Sequence, residues 1–229
     1  MTLNHQEIEL IDSFEQIAVD IYPTAKDGSK AVAQEIAALI KARQAANQKV
    51  VLGLATGSTP KYLYAELVRL HREEGLSFKN VITFNLDEYY PIEPDALQSY
   101  NRFMKEQLFN HIDIPLENTH VPDGTIPKEK VKEFAAEYEA KIEAAGGIDL
   151  QILGIGTNGH IGFNEPGSAI NSHTRLVTLD NSTRMANAFE FSNMSLVPRL
   201  AVTMGLSTIF KAKRVVLLAW GSHKSKIVQ

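Results

Sequence analysis

One histidine and one glutamate stand in a glycine-rich stretch that follows a short apolar run late in the sequence. The stretch, residues 154–167, reads GIGTNGHIGFNEPG and carries His160 and Glu165. Its five glycines and one proline predict a loop, because glycine loses the most backbone entropy on ordering and proline has no amide hydrogen to donate. An imidazole takes up and returns protons near neutral pH, and a nearby carboxylate can fix its tautomer. The loop is therefore a candidate for acid/base chemistry; the plainer interpretation is a structural histidine and a solvated acid.

The same loop also matches a dinucleotide-binding pattern. A Gly-x-Gly-x-x-Gly motif begins at Gly154, and Asp180 follows at a distance suited to a ribose contact. In such a site the third glycine opens a helix, but here Gly162 and Pro166 interrupt the residues that would form it. Nicotinamide binding is therefore disfavoured, and no cofactor is predicted.

Two adjacent acids follow another apolar run. Asp87 and Glu88 come directly after the segment 81–86 and precede two tyrosines. Successive side chains of a strand point to opposite faces, so at most one of these carboxylates can enter a cleft directly. Aromatic neighbours that shield a carboxylate from water raise its pKa towards the range of a general base. The competing interpretation is a solvated turn or a helix cap.

Hydroxyl side chains and a glycine precede a helix at residues 56–60, which read TGSTP. Amide donors at a helix N-terminus, hydroxyl groups and the close approach allowed by Gly57 are what a phosphate needs. No Gly-Lys-Ser/Thr follows, so a nucleoside triphosphate loop is not indicated. An ordinary helix cap is the alternative. Lys224, after the last apolar run, is either a solvated lysine or a charge partner for the same phosphate.

Helical and strand-like segments alternate along the chain. Helices are predicted from the caps Asp27 and Ser29 to about Ala46, after Pro60, after Pro127 and from Pro198 to about Phe210; strands are predicted at 50–54, 81–86, 150–153, 175–179 and 215–220. Continuous apolar strands between helices predict an α/β fold with three layers, a mostly parallel sheet with helices on both faces in a Rossmann-like arrangement. Because ligands bind beyond the carboxyl ends of such strands, four segments should converge on one crevice: 56–59, 87–90, 154–167 and 221–224.

Composition narrows the classes of function. A chain of 229 residues with 44% hydrophobic residues and no linker-like stretch predicts one domain, 1–229. A net charge of -4 gives no footprint for nucleic acid, and the apolar runs are of strand length, so neither a nucleic-acid nor a membrane partner is expected. Zero cysteines and the polar N-terminus fit a soluble, cytoplasmic protein. No metal is predicted, since His160 and Glu165 lack helical ligand spacing and His173 is isolated.

Taken together, the four segments resemble the glucosamine-6-phosphate deaminase (isomerising) family. The resemblance covers roughly Ile17 to the end, which leaves residues 1–16 as an N-terminal extension, and its most specific part is 160–166. The 6-phosphogluconolactonases share the fold and resemble the first loop and the Gly-His pair, but not the Phe-Asn-Glu-Pro sequence that begins at Phe163. Sugar-sensing regulator domains also share the fold, without needing an acid/base set.

The resemblance implies a reaction and a set of residues for it. Glucosamine 6-phosphate, a small-molecule sugar phosphate, would become fructose 6-phosphate and ammonia in amino-sugar catabolism. His160, aided by Glu165, would handle ring opening, and Asp87 would move a proton from C2 to C1. The implied catalytic residues are Asp87, His160, Glu165 and Asn158; the implied substrate-binding residues are Thr56, Gly57, Ser58, Thr59, Glu88, Gly159, Lys224 and Arg184.

Two departures from the family pattern leave alternatives open. Phe189 stands where the family usually has an arginine that reaches the phosphate, so either Arg184 or another residue replaces it or the preferred ligand differs. The chain stops at Gln229, where family members usually continue with a further helix and strand, as in a shortened chain or the first domain of a longer polypeptide. The alternatives are a non-catalytic or altered-specificity sugar-phosphate binding domain and a 6-phosphogluconolactonase-like hydrolase. Assembly into a homo-oligomer also remains open.

Overall fold

Two sheets organise the computed structural model, which describes residues 17–229; the predicted N-terminal extension lies outside the described residues. The strands of this part, in chain order, are β1 (Val50–Leu54), β2 (Val81–Asn85), β3 (Asp87–Tyr90), β4 (Thr119–His120), β5 (Leu150–Gly154), β6 (Arg175–Thr178), β7 (Leu200–Thr203) and β8 (Arg214–Leu218). The helices are α1 (Ala25–Ala45), α2 (Lys61–Glu74), α3 (Tyr100–Gln107), α4 (Val131–Ala144), α5 (Asn181–Asn187), α6 (Leu206–Phe210) and α7 (Ser225–Val228). No helix of the described part is long and apolar enough to cross a membrane.

The larger sheet is parallel, and the direction in which the chain adds strands reverses at its centre. Its order is β4-β2-β1-β5-β8, so the chain leaves β1 towards one edge and leaves β5 towards the other. Because crossover connections are right-handed, the helices of the two halves lie on opposite faces of the sheet. The predicted α/β fold with a mostly parallel sheet between helical layers is confirmed. The carboxyl ends of β1 and β5 diverge at the reversal and leave a crevice for a ligand.

A second, antiparallel sheet with the order β3-β7-β6 was not predicted. The sequence predicts one helix from Pro198 to Phe210, but this segment forms strand β7 and the short helix α6, whose N-cap is Gly205. That expectation was wrong because Ala201, Val202 and Thr203 are buried in the pairing of β7 with its two neighbours, which overrides a weak helical pattern. The sheet places Thr203 opposite Asp87.

The helix boundaries differ slightly from the sequence prediction. Thr24, and not Asp27 or Ser29, caps α1, because its hydroxyl oxygen accepts the Asp27 amide at 3.1 Å. Pro60 is the N-cap of α2 and not its first helical residue. The apolar faces of α1, α2 and α4 pack with the parallel strands in one core, whose larger members include Ile36, Leu52, Leu63, Leu67, Phe84, Tyr138 and Ile152.

Candidate active site

A cleft lies at the carboxyl ends of the parallel strands, where all four predicted segments meet. It is lined by residues 55–59 after β1, by Leu86 and Asp87 at the start of β3, by the loop after β5, by residues 186, 187, 189 and 190, and by His223 and Lys224. The expected convergence on one crevice is therefore confirmed. Of the predicted segment 87–90, only Asp87 lines the cleft.

Asp87 is buried and receives little help with its charge. The residue is 5% exposed, and burial, reinforced by the neighbouring Glu88, raises its pKa to about 8. Gly162 brings the glycine-rich loop against it, since a β-carbon on Gly162 would lie 3.2 Å from Asp87 Oδ2. Such a carboxyl group can accept a proton from a carbon acid and return it at neutral to mildly alkaline pH.

Glu88 points away from the cleft and holds the start of α3. Its carboxylate accepts the hydroxyl of Ser99 at 2.8 Å and the amides of Tyr89, Tyr100 and Asn101 at 2.9–3.0 Å. It is not among the cleft-lining residues, so the structure does not support its assignment to substrate binding. Alternation along β3 separates the two acids, because successive strand residues face opposite sides.

His160 is linked to Glu165 through Asn158. The Asn158 amide nitrogen donates to Glu165 Oε2 at 2.8 Å, so its carbonyl oxygen faces the ring and lies 2.7 Å from His160 Nδ1. That oxygen can only accept, which places the ring proton on Nδ1 and leaves Nε2 as the basic nitrogen. Burial lowers the pKa of His160. The negative charge of Glu165 raises this pKa, and the positive charge of Lys224 lowers it. A neutral imidazole with a free Nε2 can act as a base.

Neither Glu165 nor Asn158 is among the cleft-lining residues, and Glu165 is anchored behind His160. Its Oε1 accepts the Asp180 amide at 3.0 Å, and its Oε2 lies 3.6 Å from His160 Nδ1, beyond hydrogen-bond distance. The predicted partnership of His160 and Glu165 is therefore indirect. Asp180, considered above for a ribose, caps α5 by accepting the Ser182 amide.

The glycine-rich loop folds tightly around the imidazole and is tied to the second sheet. The Gly156 amide donates to the His160 carbonyl at 2.8 Å, and a β-carbon on Gly156 would collide with the ring at 2.2–2.4 Å. The Phe163 amide donates to Thr203 Oγ1 at 3.1 Å, and Thr203 pairs with Asp87. The second sheet thus sets the position of His160 relative to Asp87.

The segment after β1 and Lys224 also line the cleft. Gly57 adopts a φ of +89°, which a residue with a side chain rarely tolerates. The Tyr64 hydroxyl donates to the Ala55 carbonyl, which fixes the start of the segment. Lys224 Nζ donates to the Ile155 carbonyl at 2.6 Å, and burial lowers its pKa. Hydroxyl groups, loop amides and one ammonium group suit an anionic ligand.

Arg184 does not take the place of the missing arginine. Its guanidinium is buried and donates to the carbonyls of Met194 and Val197 at 3.1 Å. It is not among the cleft-lining residues, so the expectation that it binds substrate is not supported by its position. Phe189, by contrast, lines the cleft and is 77% exposed.

Sequence reasoning missed three polar residues of the cleft wall. Tyr100, Asn187 and Glu190 line it, and Asn187 donates to the hydroxyl of the buried Tyr89 at 2.9 Å. None of them belongs to a recognisable motif, and only the fold brings them to the cleft. Across residues 17–229, no group of three or more histidine, aspartate and glutamate side chains is arranged to hold a metal ion.

The comparisons with known proteins agree with this architecture. The family model described as glucosamine-6-phosphate isomerases/6-phosphogluconolactonase matches residues 23–229. The chain therefore belongs to this family of sugar-phosphate enzymes.

Individual relatives point to one branch of the family. A glucosamine-6-phosphate deaminase of Thermoanaerobacter pseudethanolicus is 48% identical over 198 residues, which are 86% of this chain and 78% of that protein. One of Clostridium perfringens is 49% identical over 88% of this chain and 81% of that protein. A deaminase-like protein of Bacteroides thetaiotaomicron is 46% identical over 99% of this chain, which spans only 34% of that protein.

Two solved structures show the same difference between deaminase and lactonase. A monomeric glucosamine-6-phosphate deaminase is 41% identical with a TM-score of 0.88, covering 93% of this chain and 86% of its own. The 6-phosphogluconolactonase of Leishmania guyanensis is 24% identical with a TM-score of 0.71, covering 93% of this chain and 85% of its own. The likeness to the lactonase extends to the fold alone.

Proposed function

We propose that the protein converts glucosamine 6-phosphate and water into fructose 6-phosphate and ammonia. The observation that carries this proposal is that Asp87 and His160 line one cleft, each in a form suited to proton transfer. The reaction needs two proton-transfer groups, because the sugar ring must open before hydrogen moves between two carbons. The deaminase relatives described above support the same activity.

In the proposed first step, His160 opens the ring. Its Nε2 takes the proton from the C1 hydroxyl and delivers a proton to the ring oxygen as the bond between C1 and that oxygen breaks. Asn158 and Glu165 keep the ring proton on Nδ1, so that Nε2 stays free for this transfer. A correctly placed acid/base group contributes a factor of about 10² to 10⁴ in rate.

In the second step, Asp87 moves the hydrogen from C2 to C1. The ionised carboxylate removes the C2 proton, and the electron pair forms an enolamine as the C1 carbonyl oxygen takes a proton from water. The carboxyl group then returns its proton to C1, and the nitrogen gives up one proton to the hydroxide left by that water, which leaves an imine at C2. Water adds to this imine and ammonia departs, giving the C2 ketone. The pKa of Asp87 near 8 suits both removal and return of the proton.

Residues 56–59 and Lys224 are proposed to hold the phosphate. They line the same cleft as Asp87 and His160, and together they supply hydroxyl groups, amides and a positive charge. Gly159 is not among the cleft-lining residues; we propose that it serves substrate binding through the shape of the loop beside His160, because its φ of +93° is one that a residue with a side chain rarely adopts.

Phe189 favours a second candidate, an altered-specificity or non-catalytic sugar-phosphate binding domain. An exposed aromatic ring lines the cleft where the family usually provides a guanidinium for the phosphate. A 6-phosphogluconolactonase-like hydrolase has less support, because the likeness to lactonases is one of fold.

For the cellular location of the protein, we propose the cytoplasm, since a charged sugar phosphate does not cross membranes unaided. Homo-oligomer formation is a separate proposal that light scattering would test.

The decisive experiment supplies glucosamine 6-phosphate and measures both ammonia and fructose 6-phosphate. We expect the two products in equal amounts. In deuterated water, we also expect the hydrogen on C2 to exchange with solvent, because its removal is an intermediate step. Binding of the sugar phosphate without ammonia release or C2 exchange would favour the binding domain and refute the deaminase. Hydrolysis of 6-phosphogluconolactone in its place would favour the lactonase.

A further inference from the structure

Trp220 lies between the two segments that we place around the phosphate. It is the single tryptophan of the chain and follows β8. Its indole nitrogen donates to the carbonyl oxygen of Thr59 at 3.2 Å. Thr59 closes the segment after β1, directly before Pro60 caps α2. The hydrogen bond therefore holds the peptide group that joins the proposed phosphate loop to its helix.

The other edge of the indole is wedged against α1. A β-carbon on Gly28 would lie 2.5 Å from the Trp220 ring carbon Cη2 and 2.8 Å from Cζ3. Gly28 is buried on α1, so the missing side chain is what makes room for the ring. Because the ring is packed on this side, its nitrogen has a fixed direction towards Thr59.

The chain turns sharply after Trp220 and delivers Lys224. Gly221 adopts a φ of +86°, and the Lys224 amide donates to the Gly221 carbonyl at 3.1 Å. The Lys224 ammonium group then reaches the Ile155 carbonyl at the cleft. The backbone of Trp220 thus leads into Lys224, while its side chain holds Thr59.

We infer that Trp220 is a positioning residue that sets the distance between the phosphate loop 56–59 and Lys224. This inference rests on the proposed function, since it takes the ligand of these two segments to be a phosphate. Trp220 is not among the cleft-lining residues, so it acts through Thr59 and Lys224 and not by touching the sugar.

The test compares Trp220→Phe with the unaltered protein, because phenylalanine keeps most of the packing and removes the N–H donor. Losing one hydrogen bond that orders the loop is expected to raise the dissociation constant of inorganic phosphate about 2- to 10-fold. The KM for glucosamine 6-phosphate should rise by a similar factor, while kcat stays within about twofold, because Asp87 and His160 are untouched. Phosphate should also change the fluorescence of Trp220 in the unaltered protein.

Gly28→Ala gives a second route to the same result from outside the cleft. Its methyl group pushes on the indole, so phosphate binding should weaken here too, with the fold checked by circular dichroism. Phe210→Leu, an exposed aromatic change on α6, serves as the control and should leave phosphate binding unchanged. If the unaltered protein binds phosphate but Trp220→Phe and Gly28→Ala bind it equally well, the inference is overturned and Trp220 only packs. If the unaltered protein binds neither phosphate nor the sugar phosphate, the proposed function itself fails.

Discussion

The adjacent carboxylates of Asp87 and Glu88 have opposite surroundings. Glu88 accepts three backbone amides and one hydroxyl, whereas burial and the neighbouring carboxylate both raise the pKa of Asp87. Glu88 thus holds the start of α3, and Asp87 keeps a high proton affinity at the cleft. This division suits a base that must later give its proton back.

Replacement of Asp87 by asparagine tests its proposed role. Asp87→Asn keeps the size of the side chain but cannot carry a proton between C2 and C1, so kcat should fall by a factor of about 10² to 10⁴ or more. The sugar phosphate should still bind, since residues 56–59 and Lys224 are unchanged; calorimetry would measure this. Asp95→Asn, with 89% of its side chain exposed, is the matched control. Loss of binding together with turnover would give Asp87 a structural role.

The pH dependence should run in opposite directions for activity and stability. The pKa of Asp87 lies at about 8 in the folded protein and at 3.8 in the absence of burial, so between these values the folded state binds more protons than the unfolded chain. Its contribution to the free energy of unfolding therefore falls as pH rises from about 4 to about 8. Catalysis needs the ionised form, so kcat/KM should rise through about pH 8.

Two measurements check this pair of trends. Urea unfolding at several pH values should show a weaker loss of stability with pH in Asp87→Asn than in the unaltered protein. The acid limb of kcat/KM gives the pKa of the base in the free enzyme. An acid limb below pH 6 would contradict the assignment of a buried Asp87 as that base.

Gly162 provides a test of the contact between the loop and Asp87. Its φ is +55°, and a β-carbon would lie 3.2 Å from both Asp87 Oδ2 and Thr203 Oγ1. Gly162→Ala should therefore lower stability by about 1 kcal/mol or more and reduce turnover, because the carboxylate must move. Gly167→Ala is the matched control, since Gly167 has a φ of +89° with open space around it. Equal losses in both variants would show that backbone strain alone is responsible.

Much of this site could be predicted from the sequence because it depends on local patterns. The parallel strands read as apolar runs. Asp87 directly follows one run, and His160 and Lys224 lie in the loops after two others, so their common edge follows from the fold class. The antiparallel sheet could not be predicted in the same way. Pairing of β7 with β3 and β6 joins residues that are far apart in sequence. The residues next to Thr203 in the sequence do not indicate that it lies opposite Asp87.

The roles of individual polar residues were harder to predict than their positions. The family resemblance assigns Glu88 to the substrate, but three of its four hydrogen-bond donors come from residues 99–101, 11 to 13 positions away. The sequence makes Arg184 a candidate phosphate ligand, but its guanidinium donates to the backbone carbonyls of Met194 and Val197. In both cases the decisive partners are backbone groups, whose placement depends on tertiary structure.

Phe189 leads to a prediction about phosphate affinity. Phe189 lines the cleft and is 77% exposed, so Phe189→Arg can place a guanidinium there without disturbing the core. A charge-assisted bond to phosphate contributes about 1.5–3 kcal/mol, so the KM for glucosamine 6-phosphate should fall about tenfold or more. Met185→Arg adds the same charge at a residue that is 65% exposed and not among the cleft-lining residues, and should change KM far less. An unchanged KM in Phe189→Arg, with turnover retained, would mean that the phosphate lies away from Phe189 and that Lys224 with residues 56–59 suffices to bind it.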